Sequence, residues 1–440
     1  MNYLVTRIGN FLTKFYLAFL SPYYGFIQGH AHISKKEIDK ITSLIGVSSG
    51  FYTKEFEYEF TRLIGLKSVS FAAGRMGFYA ILKVLDIKPG DEVILTGFTC
   101  SVMVNAVFLV GATPIYADIS KDTLGTSAQS VEKNISSRTK MIVAQHSFGI
   151  PCEIERICEI SKKYNIFLLE DCALALDSSV NGKKVGLFGN ASLFSFDHTK
   201  PINAMMGGAI CTKDNDLYLK LKEVQNKSGK IPLKKQTALF NRFLLERKYC
   251  NPKRYGLFQI IDYMQAIYGR VFNREGAFLM SDSDSSPRVC NDYPYPSKMP
   301  EFISFLALNE LKRWPDIKKK RQDAMYRYID KLSELGYSSK VSELYCKDGI
   351  DIVPLRFVFT HPDGLELRCK MKKFLNIDWT WFQAPIISII EPIENYGYTP
   401  GSCPVSESMS ALIVNLPTSI TKGELDEILQ LTGVLKHQEE

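Results

Sequence analysis

The sequence has no paired cysteine motif. Its ten cysteines include no C-x-x-C spacing, and several lie inside apolar runs, as Cys172 does in LLEDCALAL and Cys211 in GGAICT. Thiols placed this way belong to a reduced interior, which excludes a disulfide framework and points to the cytoplasm. Histidine is scarce, with six in all. His30 and His32 form a lone H-x-H with no cysteine or carboxylate cluster close in sequence, so no metal site is expected. A strong charge of one sign is also missing. Lys plus Arg number 54 against 47 Asp plus Glu, and the excess of +7 is spread along the chain. The basic run KKKRQ (Lys318 to Gln322) reads as a solvated helix face, so nucleic acid is not an expected partner. There is no internal repeat and no low-complexity tract. Phe15 to Ile33 carries no formal charge, but Ser21, Pro22, Gly25, Gln28 and Gly29 interrupt it. A spanning helix needs about 20 mostly apolar residues, so a membrane span is not expected, and no small-residue cleavage site marks a leader. The preceding stretch YLVTRIGNFLTKFYLAF has an amphipathic helical pattern. It reads as an arm packed on the body or on a second subunit, with peripheral membrane contact the lesser alternative.

What the chain does have is apolar material for a large core, 45% of its residues, in a regular order. EFEYEFTRLIG reads as a helix ending at Gly65, and SVSFAA as a buried strand. After Gly74 the helical RMGFYAILKVLDI stops at KPGD. Apolar strands EVILTG, TPIYAD, KMIVAQH and IFLLED then alternate with helices, and ASLFSF and GAICT close the series. Strands without polar alternation, separated by helices, predict a mostly parallel sheet covered on both faces. Ligands of such sheets sit at the carboxyl ends of the strands. Residues 227–298 break the rhythm, with SDSDSSPR reading as an exposed loop. EFISFLALNELKRWPDIKKKRQDAMYRYIDKL comes next as a long helix, bent or restarted at Pro315. DIVPLRFVF and LIVNLP are expected strands and KGELDEILQLTG a closing helix, in a smaller α+β domain. The expected division is an arm at 1–45, a large domain at 46–226, an insertion of unassigned structure at 227–298, and a linking helix with a small C-terminal domain at 299–440.

One stretch carries chemistry. In FSFDHTKPINAMMGGAICT, Lys200 stands between a short apolar strand and the pair Gly207-Gly208, with Ser195 five residues earlier. Asp171 ends the strand IFLLED, and Gly74 and Arg75 lie where SVSFAA gives way to a helix. A helix N-terminus binds phosphate, and a strand-end carboxylate holds a protonated ring nitrogen. A lysine in an apolar pocket has its pKa lowered, so its amine can form an imine. Phosphate, ring nitrogen and aldehyde are the three handles of pyridoxal phosphate. The turn after SVSFAA reads GRMG rather than G-x-G-x-x-G, which sets a nicotinamide enzyme aside.

The same stretch resembles the lysine segment of the DegT/StrS family of pyridoxal-phosphate-dependent sugar aminotransferases, of PLP fold type I: aromatic-Ser-Phe, three residues, Lys, then Gly-Gly before a short strand. Further blocks resemble the family in order: GFYTKEFEYEF, AAGRMGFYAILKVLDIKPGDEVIL, FTCSVMVNAVFLVGATPIYADI, VAQHSFGIP, IFLLEDCALALDSSVNGKKVGLFG and YTPGSCPVSESMSALIVNLPTSITKGELDEIL. The resemblance covers roughly residues 50–226 and 300–433. It implies an α/β fold with a large, mostly parallel sheet domain flanked by helices and a smaller C-terminal α+β domain. It also implies that Lys200 forms the internal imine and moves the proton, that Asp171 pairs with the pyridinium, and that Ser195 binds phosphate beside the N–H groups of Gly74 and Arg75. Asn226, in VQNKSG, falls near where family members send an asparagine to the phosphate across a homodimer interface. The implied reaction carries an amino group, from glutamate, to a keto group on a nucleotide-linked sugar, for surface polysaccharide or secondary-metabolite sugars.

Three features depart from the family. Leu174 stands where the family places a glutamine near the ring hydroxyl. Cys100 stands where an aromatic usually stacks on the cofactor, so either Phe98 stacks instead or the small Cys100 lies over the ring. The insertion at 227–298 lies near the expected entrance. His146 and His198 are read as structural rather than catalytic. Two alternatives stay open at this level: a related enzyme acting on a non-sugar ketone or performing elimination or decarboxylation, and a cofactor-free structural or regulatory relative.

Overall fold

The apolar runs read from the sequence are strands, and burial explains their composition: β2 is buried along its whole length, as is β10, because both faces are covered. The computed structural model describes residues 22–27, 29–271, 293–334, 345–376 and 381–431. In chain order the strands are β1 Lys67–Phe71, β2 Glu92–Thr96, β3 Thr99–Cys100, β4 Thr113–Ala117, β5 Thr139–Gln145, β6 Phe167–Asp171, β7 Ser179–Val180, β8 Lys183–Lys184, β9 Ala191–Ser195, β10 Gly208–Thr212, β11 Gly229–Lys230, β12 Ser297–Lys298, β13 Ile350–Asp351, β14 Arg356–Thr360, β15 Ile386–Ile387 and β16 Ile413–Pro417. The helices are α1 Lys35–Ser43, α2 Phe51–Ile64, α3 Gly74–Val84, α4 Ser101–Leu109, α5 Ala128–Lys133, α6 Ile154–Tyr164, α7 Asn215–Lys227, α8 Leu233–Tyr249, α9 Tyr255–Val271, α10 Glu301–Lys312, α11 Trp314–Glu334, α12 Gly364–Met371, α13 Pro404–Leu412 and α14 Lys422–Leu431.

Seven strands form one sheet in the order β1-β10-β9-β6-β5-β2-β4. β10 alone runs against the others, pairing antiparallel with β1 and β9, while β9, β6, β5, β2 and β4 pair in parallel. The carboxyl ends of β5, β6 and β9 therefore lie along one edge, and the chain enters β10 from that same edge. The sheet's main cluster is aromatic-rich: Phe56 and Phe60 of α2 stack at 5.6 Å and meet Phe194 and Phe196 edge-on.

The expected long helix after residue 300 is two helices. α10 ends at Lys312 and its Phe302, Ile303 and Leu306 join the sheet's cluster; α11 starts at Trp314 and its Met325 and Tyr328 join a second cluster around the β14–β16 pair. Pro315 sits in the first turn of α11, where its missing N–H costs nothing. The insertion, unassigned from sequence, contributes α8 and α9; SDSDSSPR lies outside the described residues. The amphipathic stretch expected at the N-terminus also lies outside them. Residues 22–27 are a short segment with bends at both ends: Tyr24 bridges to Leu375, and Tyr23 N donates to Pro252 O at 2.9 Å. No helix among the described residues is long and apolar enough to cross a membrane.

Candidate active site

The carboxyl edge of the sheet opens into a cavity of about 870 Å³. Its lining includes Gly74, Arg75, Cys100, Asp171, Leu174, Ser195 and Lys200, so residues singled out from separate sequence blocks share one site.

At one wall α3 begins. Its N-cap, Ala73, makes no side-chain capping bond, and Gly74 and Arg75 of its first turn line the cavity. The bareness of Gly74 matters here: a Cβ on it would stand 3.3 Å from Phe194 O and from Ser195 Cβ, filling the gap between helix start and serine. A glycine pair beside this lysine reads from sequence as room for a ligand next to the backbone, and that expectation is corrected in one respect. Gly208 does not leave room for a ligand; a Cβ there would come within 2.3 Å of the N and Cα of Gly74. The glycine lets the helix start settle onto the end of β10, held by the Ala73–Gly207 bridge.

Asp171, the last residue of β6, is 5% exposed and accepts a hydrogen bond from Ala173 N at 2.9 Å. Burial pushes its carboxyl pKa up, opposed by that N–H and by the charges of Lys200 and His146. A buried carboxylate in this state stabilises a cation placed beside it. Lys200 lies in the turn after β9. Burial lowers its pKa; the charges of Asp197, Cys100 and Asp171 counter this, and Arg356 adds to the lowering. Its Nζ lies 4.1 Å from the centre of the Trp381 ring. Asp197 pairs with His198 Nδ1 at 2.5 Å; burial would raise its pKa, but His198, Lys200 and Arg75 outweigh burial and bring it down.

The remaining expected residues divide. Cys100 and Leu174 line the cavity, as their sequence positions implied. Phe98 does not: it is fully buried and stacks on Phe382 at 4.8 Å and 12°, so Phe382, not Phe98, faces the site. The stacking role expected of Phe98 is thus withdrawn. Asn226 is exposed near the end of α7 and does not line its own chain's cavity; its neighbour Gln225 is the inward residue, bonded to Glu57 and Ser70. His146 is buried behind the sheet edge, its Nδ1 accepting from Cys152 N at 3.1 Å and its Nε2 3.3 Å from Glu170, which is a structural setting. His198 lines the cavity beside Lys200.

Several lining residues are not singled out by the sequence, although the insertion is expected near the entrance. Phe258, Gln259, Asp262 and Tyr263 come from α9 of the insertion, and Trp381 to Ile389 from a loop and strand before α13. The β15–β3 pair, Ile386 with Thr99 and Ile387 with Cys100, brings that loop to the cavity. A local reading could have noticed the aromatic WTWF, but not that it returns to Cys100 from some 280 residues away.

His30 and His32, expected to hold no metal, meet a carboxylate supplied by the fold. Glu310 Oε1 lies 2.6 Å from His32 Nε2 and 3.4 Å from His30 Nδ1, and Arg313 donates to the other oxygen at 3.0 Å. The fold thus adds to the H-x-H pair the carboxylate that the local sequence lacks, and the contact ties the arm to α10.

Residues 32–242 match the sequence model of the DegT/DnrJ/EryC1/StrS aminotransferase family. Among curated proteins, the chain is 38% identical over 172 residues to the GDP-perosamine synthase of Escherichia coli O157:H7, covering 39% of this chain and 47% of that one. It is 34% identical over 191 residues to the UDP-N-acetyl-3-dehydro-alpha-D-glucosamine 3-aminotransferase of Acidithiobacillus ferrooxidans, covering 43% and 52%. The matched region thus spans about half the length of these relatives. The fold superposes on Spr1654 of Streptococcus pneumoniae in its PMP form, with TM-score 0.67, 20% identity, and 95% of this chain and 99% of that one covered. The likeness in fold runs nearly the length of the chain, while the match to the DegT/DnrJ/EryC1/StrS aminotransferase family model covers residues 32–242, the stretch that carries the seven-stranded sheet and Lys200.

Proposed function

We propose that the chain is a pyridoxal-phosphate-dependent aminotransferase that transfers an amino group, drawn from glutamate, to a keto group of a nucleotide-linked sugar. The observation that carries the reading is the convergence of Lys200, Asp171 and the uncapped start of α3 with Ser195 on one cavity. The donor set suits the cofactor handle by handle. An anion fits the Gly74–Arg75 turn and the Ser195 hydroxyl, where a Cβ on Gly74 would take up the gap. A cationic ring nitrogen fits Asp171. An amine made available by burial is present at Lys200. A cavity of about 870 Å³ lies within the range of pockets that hold a whole small ligand, leaving room for more than a single ring. The relatives named above, one acting on a GDP-linked and one on a UDP-linked sugar by name, support the substrate class without selecting the nucleotide, and Spr1654 has been solved in PLP and PMP forms.

When bound, the cofactor supplies an aldehyde that carries the amino group and a ring that takes up electron density from the substrate carbon. The chain's own residues do the rest. Asp171 keeps positive charge on the ring nitrogen. Gly74, Arg75 and Ser195 fix the phosphate. Lys200 Nζ takes a proton from one carbon and returns it to another, a role that burial favours by lowering its pKa. On the same reading the working unit is a cytoplasmic homodimer. The free thiols buried among the described residues support the cytoplasm, and the family resemblance supports the dimer, which light scattering on the purified chain would test.

The test is the visible absorption of the full chain with pyridoxal phosphate, before and after L-glutamate. A borohydride-sensitive band in wild type, absent in Lys200→Ala and bleached by glutamate, is expected. A Lys200→Ala variant that keeps the band would overturn the assignment of the lysine. A band that glutamate leaves untouched would remove glutamate as donor.

A further inference from the structure

Aromatic rings and cations alternate from the arm to Lys200. The Arg356 guanidinium lies 4.3 Å from the ring centre of Phe26 and 4.6 Å from that of Trp381, and Lys200 Nζ lies 4.1 Å from the same Trp381 centre. The four residues come from four separate parts of the chain: the arm, the first position of β14, the loop before β15 and the turn after β9. Each link is anchored. Asn415 of β16, 1% exposed, brackets the Trp381 backbone: its Oδ1 accepts from Trp381 N at 3.3 Å and its Nδ2 donates to Trp381 O at 2.6 Å. The following residue, Phe382, is stacked on Phe98 and meets Phe148 edge-on. Arg356 is buried at 1% exposure. An indole held at backbone, ring face and neighbour is placed there by the fold rather than resting on a surface.

We propose that Trp381 is a positioning residue for Lys200: its ring holds the lysine amine at the cavity wall and favours the protonated amine, with Arg356 and Phe26 bracing the indole. The inference rests on the reading of Lys200 as the reacting lysine. Its physical basis is the quadrupole of the indole face, which attracts a cation more strongly than any other side-chain ring. Burial and the like charge of Arg356 both disfavour the ammonium form of Lys200, and the ring face acts against them. On the other side stand Asp197, Cys100 and Asp171. His198 and Arg75 act on Asp197, and His146 on Asp171, which completes the charged surroundings. Cys100 contributes a thiol to the lining, while Trp381 contributes an aromatic face beside Lys200.

The test reads the lysine directly and needs no cofactor. Full-length wild type, Trp381→Phe and Trp381→Leu are labelled with trace acetic anhydride across a pH series, and acetylation at Lys200 is followed by mass spectrometry. Only the free amine reacts, so the midpoint reports its protonation. Removing the ring is expected to lower the midpoint by up to about one pH unit, a tenfold rise in free-amine fraction below the midpoint, with Phe retaining part of the effect. A wild-type midpoint in both variants, or a rise in either, overturns the proposal; a structural role alone would change stability and leave the midpoint in place. If Trp381→Leu does not fold, Trp381→Phe against wild type still decides. Capture of pyridoxal phosphate by wild type is scored separately, so failure of the cofactor reading and failure of this inference give different results.

Discussion

At the scale of single residues, the tightest constraint in the site is the contact between two glycines. Gly208 has Gly74 N and Cα at 2.3 Å from where a Cβ would be, and neither is a flexible tip that can swing aside. Gly208→Ala is therefore expected to cost about 1–3 kcal/mol by overpacking and to push the start of α3 away from Ser195. Stability in urea and the affinity for pyridoxal phosphate should fall together. Gly423→Ala serves as the control, because a Cβ there meets nothing within 4 Å and its helical position favours alanine. Equal effects of the two substitutions on cofactor affinity would sink the argument. The chemistry-bearing residues were legible at this scale: lysine, aspartate and serine stand at strand ends because a buried polar group must have a function or a partner. Phe98 was misassigned for a related reason. An aromatic in an apolar run looks the same from sequence whether it faces a ligand or another ring, and only the Phe98–Phe382 stack tells them apart.

Secondary-structure elements are fastened by groups far away in sequence. The start of α2 has a glycine N-cap, Gly50, that offers no side-chain acceptor. The acceptor comes instead from α10: Glu301 takes bonds from Tyr52 N at 3.0 Å, Ser49 Oγ at 3.1 Å and Thr53 Oγ1 at 3.1 Å. A carboxylate at a helix N-terminus also complements the dipole. Glu301→Ala is expected to destabilise the chain by about 1–2 kcal/mol, since it removes a cap from half-buried donors at the helix start. A thermal midpoint unchanged from wild type would show that water replaces the carboxylate at no cost. Element types were readable because hydrophobic period and turn chemistry are local. The break at Arg313 was readable only in part: Pro315 marks an interruption, but the division of α10 and α11 between two clusters depends on what each packs against.

For the whole molecule, the arm ties the sheet body to the small C-terminal unit. Tyr24 hydrogen-bonds Glu427 and pairs with Leu375, while His30 and His32 meet Glu310 of α10. Burial alone would raise the Glu310 carboxyl, but the hydrogen bonds and charges of His30 and His32 outweigh it and bring its pKa down to about 2. A carboxyl depressed on folding contributes stability above its unfolded pKa of about 4.3 and loses it as pH falls toward the folded value. Glu310→Gln is thus expected to be less stable than wild type by about 2–3 kcal/mol near pH 6, with the gap shrinking as pH falls from about 5 toward 2. Urea titrations at several pH values check this, and a gap independent of pH would count against the ion pair.

The order of strands and helices, the reduced thiols, the lysine segment and the aspartate strand end were determined by the sequence, because each is written in neighbours along the chain. Tertiary structure alone decided that Gly208 makes room for Gly74, that α9 and the Trp381 loop line the cavity, and that Trp381 stands against Lys200. It also decided that a carboxylate some 280 residues away completes the H-x-H pair. These are contacts between segments with no shared periodicity. They arise from sheet order, from the β15–β3 pairing and from burial, none of which a local pattern encodes.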